Sequence, residues 1–466
     1  MWLLLGVLLI GTFLSVAVHN TATVTLPSIA SEFGSTLAEV QWVTIAIGLS
    51  AAAVAMPAGY LGDRYSRKQL FTAGMILLAG SSVAAGLAPS LGSLVIARGV
   101  QGIGTAMVGV TSIAIAVTLF PASDRGKVLG ITSATVGFSA LVAPAVGGIL
   151  VDALGWRWAY HALAVPAVVG GFGAWLLLNI DTPYAKTTPF DWIGATTLAI
   201  GVTSLVLAMA NGPSIGWSDP TIWGLSLASI AMLGVHIRWE LKVPHPLFDL
   251  RLLRRRAVAT CLGSRVVLLM AFAPAGFLVP FYVQGVMGLS ARDLGFILIP
   301  GVAAYTVVAA LAGRLSDRWT PRPFLIAGPL FSVAGLLSLA WLGANTPLVV
   351  LVGALMIHNV SLALLTSPSL NGLLTALPPE LHSVGVGFIN TTGTVTSMVS
   401  VTLITAVVTG VMTHTGTEAS INAITDDPSA VAVFLNGWLI ACLLQAGFAL
   451  IAGVIGYMYP KQYRTT

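Results

Sequence analysis

Fourteen stretches of about 20 or more mostly apolar residues follow one another along this chain, separated by short polar breaks. Such a run is what a helix needs to cross the hydrocarbon of a bilayer, where each backbone N–H and C=O must be bonded within the segment. The runs lie at about 3–27, 40–61, 69–88, 91–119, 128–152, 157–179, 191–211, 220–238, 257–285, 293–315, 323–343, 347–370, 384–412 and 432–459. They predict an all-α polytopic membrane protein. The first run starts almost at Met1, which predicts no soluble N-terminal domain. It has no basic flank and is too long for a secretory signal.

Composition agrees. Only 8% of the 466 residues are charged and 56% are hydrophobic. Soluble domains carry about 25% charged residues, so a soluble enzyme, a nucleic-acid binder and a disordered chain are all disfavoured. Mean hydropathy is +0.93, so the 50 Gly and 24 Pro sit inside apolar segments. Membrane helices tolerate both residues. Cys261 and Cys442 lie in apolar runs, with no metal-binding spacing and no disulfide framework.

The net charge of +5 is explained by where the basic residues fall. With the N-terminus inside, 17 of the 21 Lys and Arg residues occupy inner loops or the inner C-terminus, among them Lys186, Lys461 and Arg464. Two, Arg157 and Arg292, are outer, and two, Arg98 and Arg265, fall inside spans. This positive-inside split predicts an even helix count with both termini cytoplasmic, and it requires no nucleic acid. The longest polar inner stretch, 238–256, holds six basic residues and suits anionic lipid headgroups as well as topology. The outer loop 413–431 reads as mobile.

The chain also repeats itself. Gly59-Tyr60-Leu61-Gly62-Asp63-Arg64 follows the second run, and Gly313-Arg314-Leu315-Ser316-Asp317-Arg318 follows the tenth, 254 residues later. Both continue into further basic residues. Two six-helix halves separated by an inserted pair give this offset, and internal repeats are a transporter signature. The expected division is residues 1–180 for the first bundle, 181–245 for two inserted helices and a linker, and 246–466 for the second bundle.

These residues resemble the major facilitator superfamily, and within it the 14-helix drug:proton antiporter branch. Three motifs carry the resemblance. Gly59 to Lys68 is similar to the superfamily's loop between spans 2 and 3. There Asp63, Arg64 and Arg67 latch the halves together and release them during transport, and Asp317 marks the same place in the second half. Arg98-Gly99-Val100-Gln101-Gly102-Ile103-Gly104 matches an Arg-x-x-Gln-Gly-x-Gly pattern whose arginine is linked to proton transfer. A guanidinium in a span costs about 2.5–3.5 kcal/mol on insertion scales, so Arg98 must meet polar partners. Ala143-Pro144-Ala145-Val146-Gly147-Gly148 is similar to the antiporter motif, with Ala143 where Gly usually stands. Its small residues permit close packing and Pro144 bends the helix. The resemblance implies a major facilitator fold and alternating access. It covers nearly the whole chain, because Asp191-Trp192-Ile193-Gly194, Gly216-Trp217, Pro246 to Leu250 and Gln284 to Ser290 also look like connecting segments of such exporters.

One departure bears on substrate. All sixteen acids fall in loops or near span ends. Where many relatives of this kind have an aspartate in span 1, this chain has Val18, next to His19. His19 has a reference pKa of about 6.5 and is the proposed proton carrier; Asp63 and Glu32 are the alternatives at span ends. Candidate cavity residues are Arg265, His358, Asn359, Asn390, Phe138 and Tyr282, with His358 placed to pair with Arg265. Two interior arginines without an interior acid predict a positive cavity and an anionic or neutral amphipathic substrate.

No phosphate-binding loop, nucleophile elbow or zinc-binding His-Glu-x-x-His occurs, so neither ATP-driven transport nor a common hydrolase chemistry is supported. The expectation is a secondary active exporter, not an enzyme, in a bacterial inner membrane. It would need no cofactor beyond a proton gradient, and would act as a monomer on small amphipathic molecules, with protons and membrane lipids as partners and no nucleic acid. Export of a lipid or metabolite, and a non-transporting membrane sensor, remain alternative readings.

Overall fold

A computed structural model of the chain describes residues 2–121, 124–178, 190–244, 246–247, 249–378 and 382–460. Among the described residues, fourteen helices are long and apolar enough to cross a membrane. In chain order the α-helices are α1 (Trp2–Phe33), α2 (Leu37–Val40), α3 (Trp42–Arg64), α4 (Arg67–Gly86), α5 (Leu91–Leu119), α6 (Arg125–Leu154), α7 (Trp156–Leu177), α8 (Trp192–Ile215), α9 (Pro220–Glu240), α10 (Arg256–Phe281), α11 (Ala291–Arg318), α12 (Arg322–Ala340), α13 (Leu348–Ala376), α14 (His382–His414), α15 (Ile421–Asp426) and α16 (Pro428–Tyr457). Of these, α2 and α15 are short turns and the rest span. Several helices run past the apolar runs; α1 continues to Phe33 and α11 to Arg318. An interfacial turn of helix keeps its backbone bonded whether or not its side chains are apolar.

Local chemistry sets the ends. Ser90 and Ser93 form a reciprocal cap at the start of α5, and Ser66 caps α4. Asp219 before Pro220 starts α9, and Asp427 before Pro428 starts α16; proline suits the first turn, where no N–H partner exists. Gly155 takes φ 89°, a left-handed value that turns the chain from α6 into α7.

The chain forms two compact units. The first comprises Met1–Ser35, Trp42–Ala195 and Leu289–Phe296; the second comprises Thr36–Gln41, Thr196–Gly288 and Ile297–Thr466. In the first, α1 packs on α5, α6 and α7, α4 packs on α5 and α7, and α3 packs on α5. Leu14, Val18, Phe71, Met75, Leu78 and Val108 form its buried centre. In the second, α10 packs on α13, α14 and α16, and α12 packs on α13 and α16. The packing of α1 and α4 on α5, α6 and α7 thus recurs in that of α10 and α12 on α13, α14 and α16. In the second unit α8 meets α9 where Gly201 faces Leu233.

Helices in lipid gain little from hiding apolar surface, so close approach and polar bonds hold them together. Gly102 on α5 shows the first device: a Cβ there would collide with the Ile47 carbonyl and the Ser50 hydroxyl of α3. The second device appears at Pro274, which has no N–H and frees the Met270 carbonyl; the Ser400 hydroxyl of α14 donates to that oxygen. Large apolar side chains such as Ile96, Val165 and Ile230 are exposed, as a lipid-facing surface requires.

The loop 413–431 differs from expectation. It is folded. Ser420 caps α15, and Ile421 and Ile424 are buried. Those two side chains close over Gly285 in a π-helical turn at Tyr282–Val286. The Leu37 N–H donates to the Ala419 carbonyl at 2.8 Å. The two isoleucines, three residues apart in a polar loop, are too short a pattern to have signalled a packed turn.

Candidate functional site

The central polar group of the first unit is Arg98, about two turns into α5. It is fully buried, at 0% exposure. Its Nε donates to the Val43 carbonyl of α3 at 2.9 Å, and its Nη1 donates to the Val18 carbonyl of α1 at 3.1 Å and to Gln101 Oε1 at 2.7 Å. Gln101 Nε2 donates onward to the Ser82 hydroxyl of α4 at 2.9 Å. The guanidinium carbon lies 5.5 Å from the ring centre of Tyr160 on α7. One side-chain network therefore touches α1, α3, α4 and α7 from α5. Its acceptors are backbone carbonyls, an amide and a ring face, so its charge is met by dipoles alone among these contacts.

The loop motif sits at the end of α3. Arg67 Nη2 pairs with Asp63 Oδ1 at 2.7 Å, and Arg67 Nη1 reaches Thr118 Oγ1 of α5 at 2.9 Å. Arg64 Nη1 donates to the Tyr60 hydroxyl at 2.6 Å and stands over the Tyr60 and Tyr65 rings. Gly59 faces Val110 of α5. In the second unit, Asn371 Nδ2 donates to Ser316 Oγ at 2.8 Å beside the repeated motif. The side chain of Asp317 lies outside the described residues, as do Lys186, Lys461, Arg464 and the Arg125 side chain.

The proline-bent helix α6 turns its two adjacent glycines to different neighbours. A Cβ on Gly147 would stand 3.1 Å from Val24 of α1, while one on Gly148 would strike the Ala291 carbonyl. The Pro144 carbonyl faces Gly295 in the same unit.

The candidate cavity residues separate. Arg265 Nη1 donates to the Thr366 carbonyl at 3.2 Å and reaches Ser369 Oγ at 3.5 Å. His358 does not pair with it. Its Nε2 meets the Phe272 carbonyl at 3.3 Å, and its ring stacks on Phe272 at 4.6 Å. A helix turn carbonyl lies closer to that imidazole than a cationic side chain does. His358 and Tyr282 are 1% and 0% exposed, so neither lines an open surface here. The Tyr282 hydroxyl donates to the Gly343 carbonyl at 2.9 Å and its ring stacks on Trp438. Asn359 bonds the Leu355 carbonyl within its own helix. Asn390 and Phe138 are exposed. His19 is exposed too, with Nδ1 3.1 Å from the Ser15 carbonyl. Arg98, enclosed within the first unit, cannot contribute an open positive wall, which narrows the two-arginine expectation to Arg265.

One constellation was not foreseen in the sequence. Glu32 at the end of α1 pairs with Arg157 at 2.5 Å and accepts from Trp156 Nε1 at 2.6 Å. Both partners sit at span ends, which was readable, but a separation of 124 positions between Glu32 and Trp156 conceals the pairing.

Comparison with known proteins agrees with this geometry. The chain matches the Major Facilitator Superfamily over residues 8–401. It is 31% identical over 389 residues to the multidrug resistance protein Stp of Mycobacterium tuberculosis, covering 83% of this chain and 71% of that one. It is 30% identical to the tetracenomycin C resistance and export protein of Streptomyces glaucescens, covering 83% and 72%. It is also 26% identical to the riboflavin transporter RibZ of Clostridioides difficile, covering 84% of each. The fold superposes with a TM-score of 0.71 on a crystal structure of a bacterial homologue of the human lysosomal transporter Spinster, at 16% identity and covering 98% and 96%. With its fourteen apolar helices and its repeated bundles, the chain belongs to the Major Facilitator Superfamily and is a multi-pass membrane transporter.

Proposed function

We propose that the protein is a proton-coupled exporter of amphipathic small molecules in a bacterial plasma membrane, with both termini cytoplasmic. The observation that carries the reading is the Arg98 network. A buried guanidinium held by carbonyls of α1 and α3, in a motif linked to proton transfer, is a charge whose surroundings change with helix position. Resistance and export relatives support the outward direction. Entry of a proton on the outer side and its exit inside would drive the substrate outward by alternating access, with His19 as the proton carrier.

A second substrate reading has an observation behind it. None of the sixteen acids is at mid-span, while Arg265 is half-buried on α10. A neutral or anionic amphiphile, including a lipid or metabolite, therefore suits the protein better than a permanent cation. The test is transport in proteoliposomes under an imposed pH gradient, with cationic, neutral and anionic amphiphiles compared. Flux that ignores the gradient rejects proton coupling.

A further inference from the structure

His358 occupies a place in the second unit that matches the Arg98–Gln101 pair in the first. The acceptors correspond by number: Val18 of α1 and Phe272 of α10 are 254 residues apart, the same offset as the repeated loop motif. The donors correspond by helix, since α5 and α13 are the fourth spans of their six-helix halves. Close glycine crossings fix the register. Gly74 of α4 lies against the Gly104 carbonyl of α5, and Gly328 of α12, again 254 residues on, lies against the Ser361 carbonyl of α13. Aligning Gly104 with Ser361 puts His358 level with Gln101, one helical turn from Arg98. The greater length of the arginine spans that turn.

Each group also has one nitrogen without a partner. Arg98 Nη2 and His358 Nδ1 are both buried and unbonded. With Nε2 donating to a carbonyl, His358 carries its hydrogen there and leaves Nδ1 bare.

The acceptor stands close to a proline. Phe272 comes two residues before Pro274, and Ser400 of α14 donates to the neighbouring Met270 carbonyl that the proline frees. Thus α13 and α14 both hold α10 just ahead of its proline. Arg265 lies about two turns earlier on α10 and bonds the same α13.

The charged and titratable groups on the surrounding helices lie elsewhere. On α10 they are Arg256, Cys261 and Arg265, on α12 Arg322, and on α14 His414, while the His382 side chain lies outside the described residues. On α11, which meets α13 at Gly301, they are Arg292, Asp293, Arg314, Asp317 and Arg318 at its ends, with Tyr305 one turn from that glycine. The contact that His358 makes is therefore a neutral donor on a carbonyl.

We infer that His358 is a positioning residue: the second bundle's counterpart of the Arg98–Gln101 pair, pinning α10 at Phe272 so that the segment from Arg265 to Pro274 is held in place for transport. This role rests on the transporter reading, but the pin itself is tested without any substrate.

Histidine ¹⁵N NMR of the intact protein in detergent assigns the tautomer, using His358→Gln to identify the signal. The pin requires hydrogen on Nε2 and a bare Nδ1; the opposite tautomer overturns it. Hydrogen–deuterium exchange then reads α10. In His358→Phe, which keeps a flat ring and loses the donor, exchange across residues 268–276 rises at least tenfold, and His358→Gln, which restores an N–H donor, returns it to within threefold. Unchanged exchange in the phenylalanine variant, or a glutamine variant as fast as the phenylalanine one, rejects the pin. In proteoliposomes with the neutral probe N-phenyl-1-naphthylamine, the phenylalanine variant loses at least fivefold in maximum flux with KM within twofold, and glutamine restores it. Failure of that rescue, in vesicles where the wild type is active, removes the positioning role even if the tautomer is as expected. Wild-type inactivity with a pinned α10 counts against the transport reading alone.

Discussion

The Arg98 guanidinium donates to the carbonyl of Val18, eighty positions earlier, at a distance of 3.1 Å and out of contact with solvent. This bond ties the first third of α5 to the part of α1 where an acid is missing. The positive charge at that depth is met by backbone dipoles, so a change in the approach of α1 alters its electrostatic environment directly.

Replacing Arg98 with Lys keeps a charge but loses the planar fork that serves Val18, Val43 and Gln101 together. Charge-assisted hydrogen bonds are worth about 1.5–3 kcal/mol each. Arg98→Lys is expected to lower the apparent Tm in detergent and reduce gradient-driven flux at least tenfold. Arg98→Ala should lower Tm further by removing all three hydrogen bonds that Arg98 donates. Flux and Tm equal to wild type in the lysine variant would show that the fork is dispensable.

Two glycines of the same motif make a paired test of packing. Gly102 has no room for a Cβ, whereas nothing lies within 4 Å of the one that Gly99 would acquire. Overpacking costs typically about 1–3 kcal/mol, while Gly to Ala in an open helix position gains up to about 1 kcal/mol. Gly99→Ala should fold with a Tm at or above wild type, and Gly102→Ala should fall clearly below it. Size-exclusion profiles and thermal unfolding of both variants measure the difference.

These examples show how far the sequence reaches. The fourteen spans were legible because the hydrocarbon thickness imposes a length and an apolar composition on each. Arg98, Asp63 and Pro144 were legible because charge, loop position and ring chemistry stand out against an apolar background. His358 was visible as a buried polar residue, but its partner was not. The Phe272 carbonyl has no side-chain signature, and any of several helix faces would have brought Arg265 to it instead. The Glu32–Arg157 pair and the α15 turn were hidden for the same reason: their partners are distant in sequence and chosen by packing.

Glu32 has a structural occupation in its bonds to Arg157 and Trp156. Both members of the ion pair are more than a third exposed, so the pair contributes only about 0–1 kcal/mol. Glu32→Gln should leave gradient-driven flux within twofold of wild type and Tm nearly unchanged. Loss of proton-driven export in that variant would assign the proton to Glu32 in place of His19.

His19 is exposed on α1, and its Nδ1 lies 3.1 Å from the carbonyl one turn back. Removing its side chain breaks that bond within α1. His19→Ala should therefore reach normal protein levels and weaken export driven by a pH gradient. Undiminished export at equal protein level would take His19 out of the proton path.

At the start of α16, hydrogen bonds from the Ser429 hydroxyl and then from the Ser429 N–H hold Asp427 below the ordinary aspartate value of 3.8. A carboxyl lowered on folding stabilises the folded state above its unfolded value, and the contribution disappears as pH falls through the lower folded value. Thermal unfolding in detergent between pH 6 and pH 3 should show this loss in the wild type. Asp427→Asn keeps a capping acceptor without the charge, so its Tm should vary less with pH below about 4. An identical pH dependence in both proteins would mean that the cap adds no acid sensitivity.

Proton-driven export without an interior carboxylate is the central claim, and reconstituted flux measures it most directly. Purified protein in proteoliposomes, under an imposed pH gradient, is given a permanent cation, a neutral amphiphile and an anionic amphiphile of similar size. The account predicts transport of the neutral or anionic probe that collapses when a protonophore removes the gradient, with little transport of the cation. Flux that persists after collapse of the gradient, or a clear preference for the permanent cation, would contradict it.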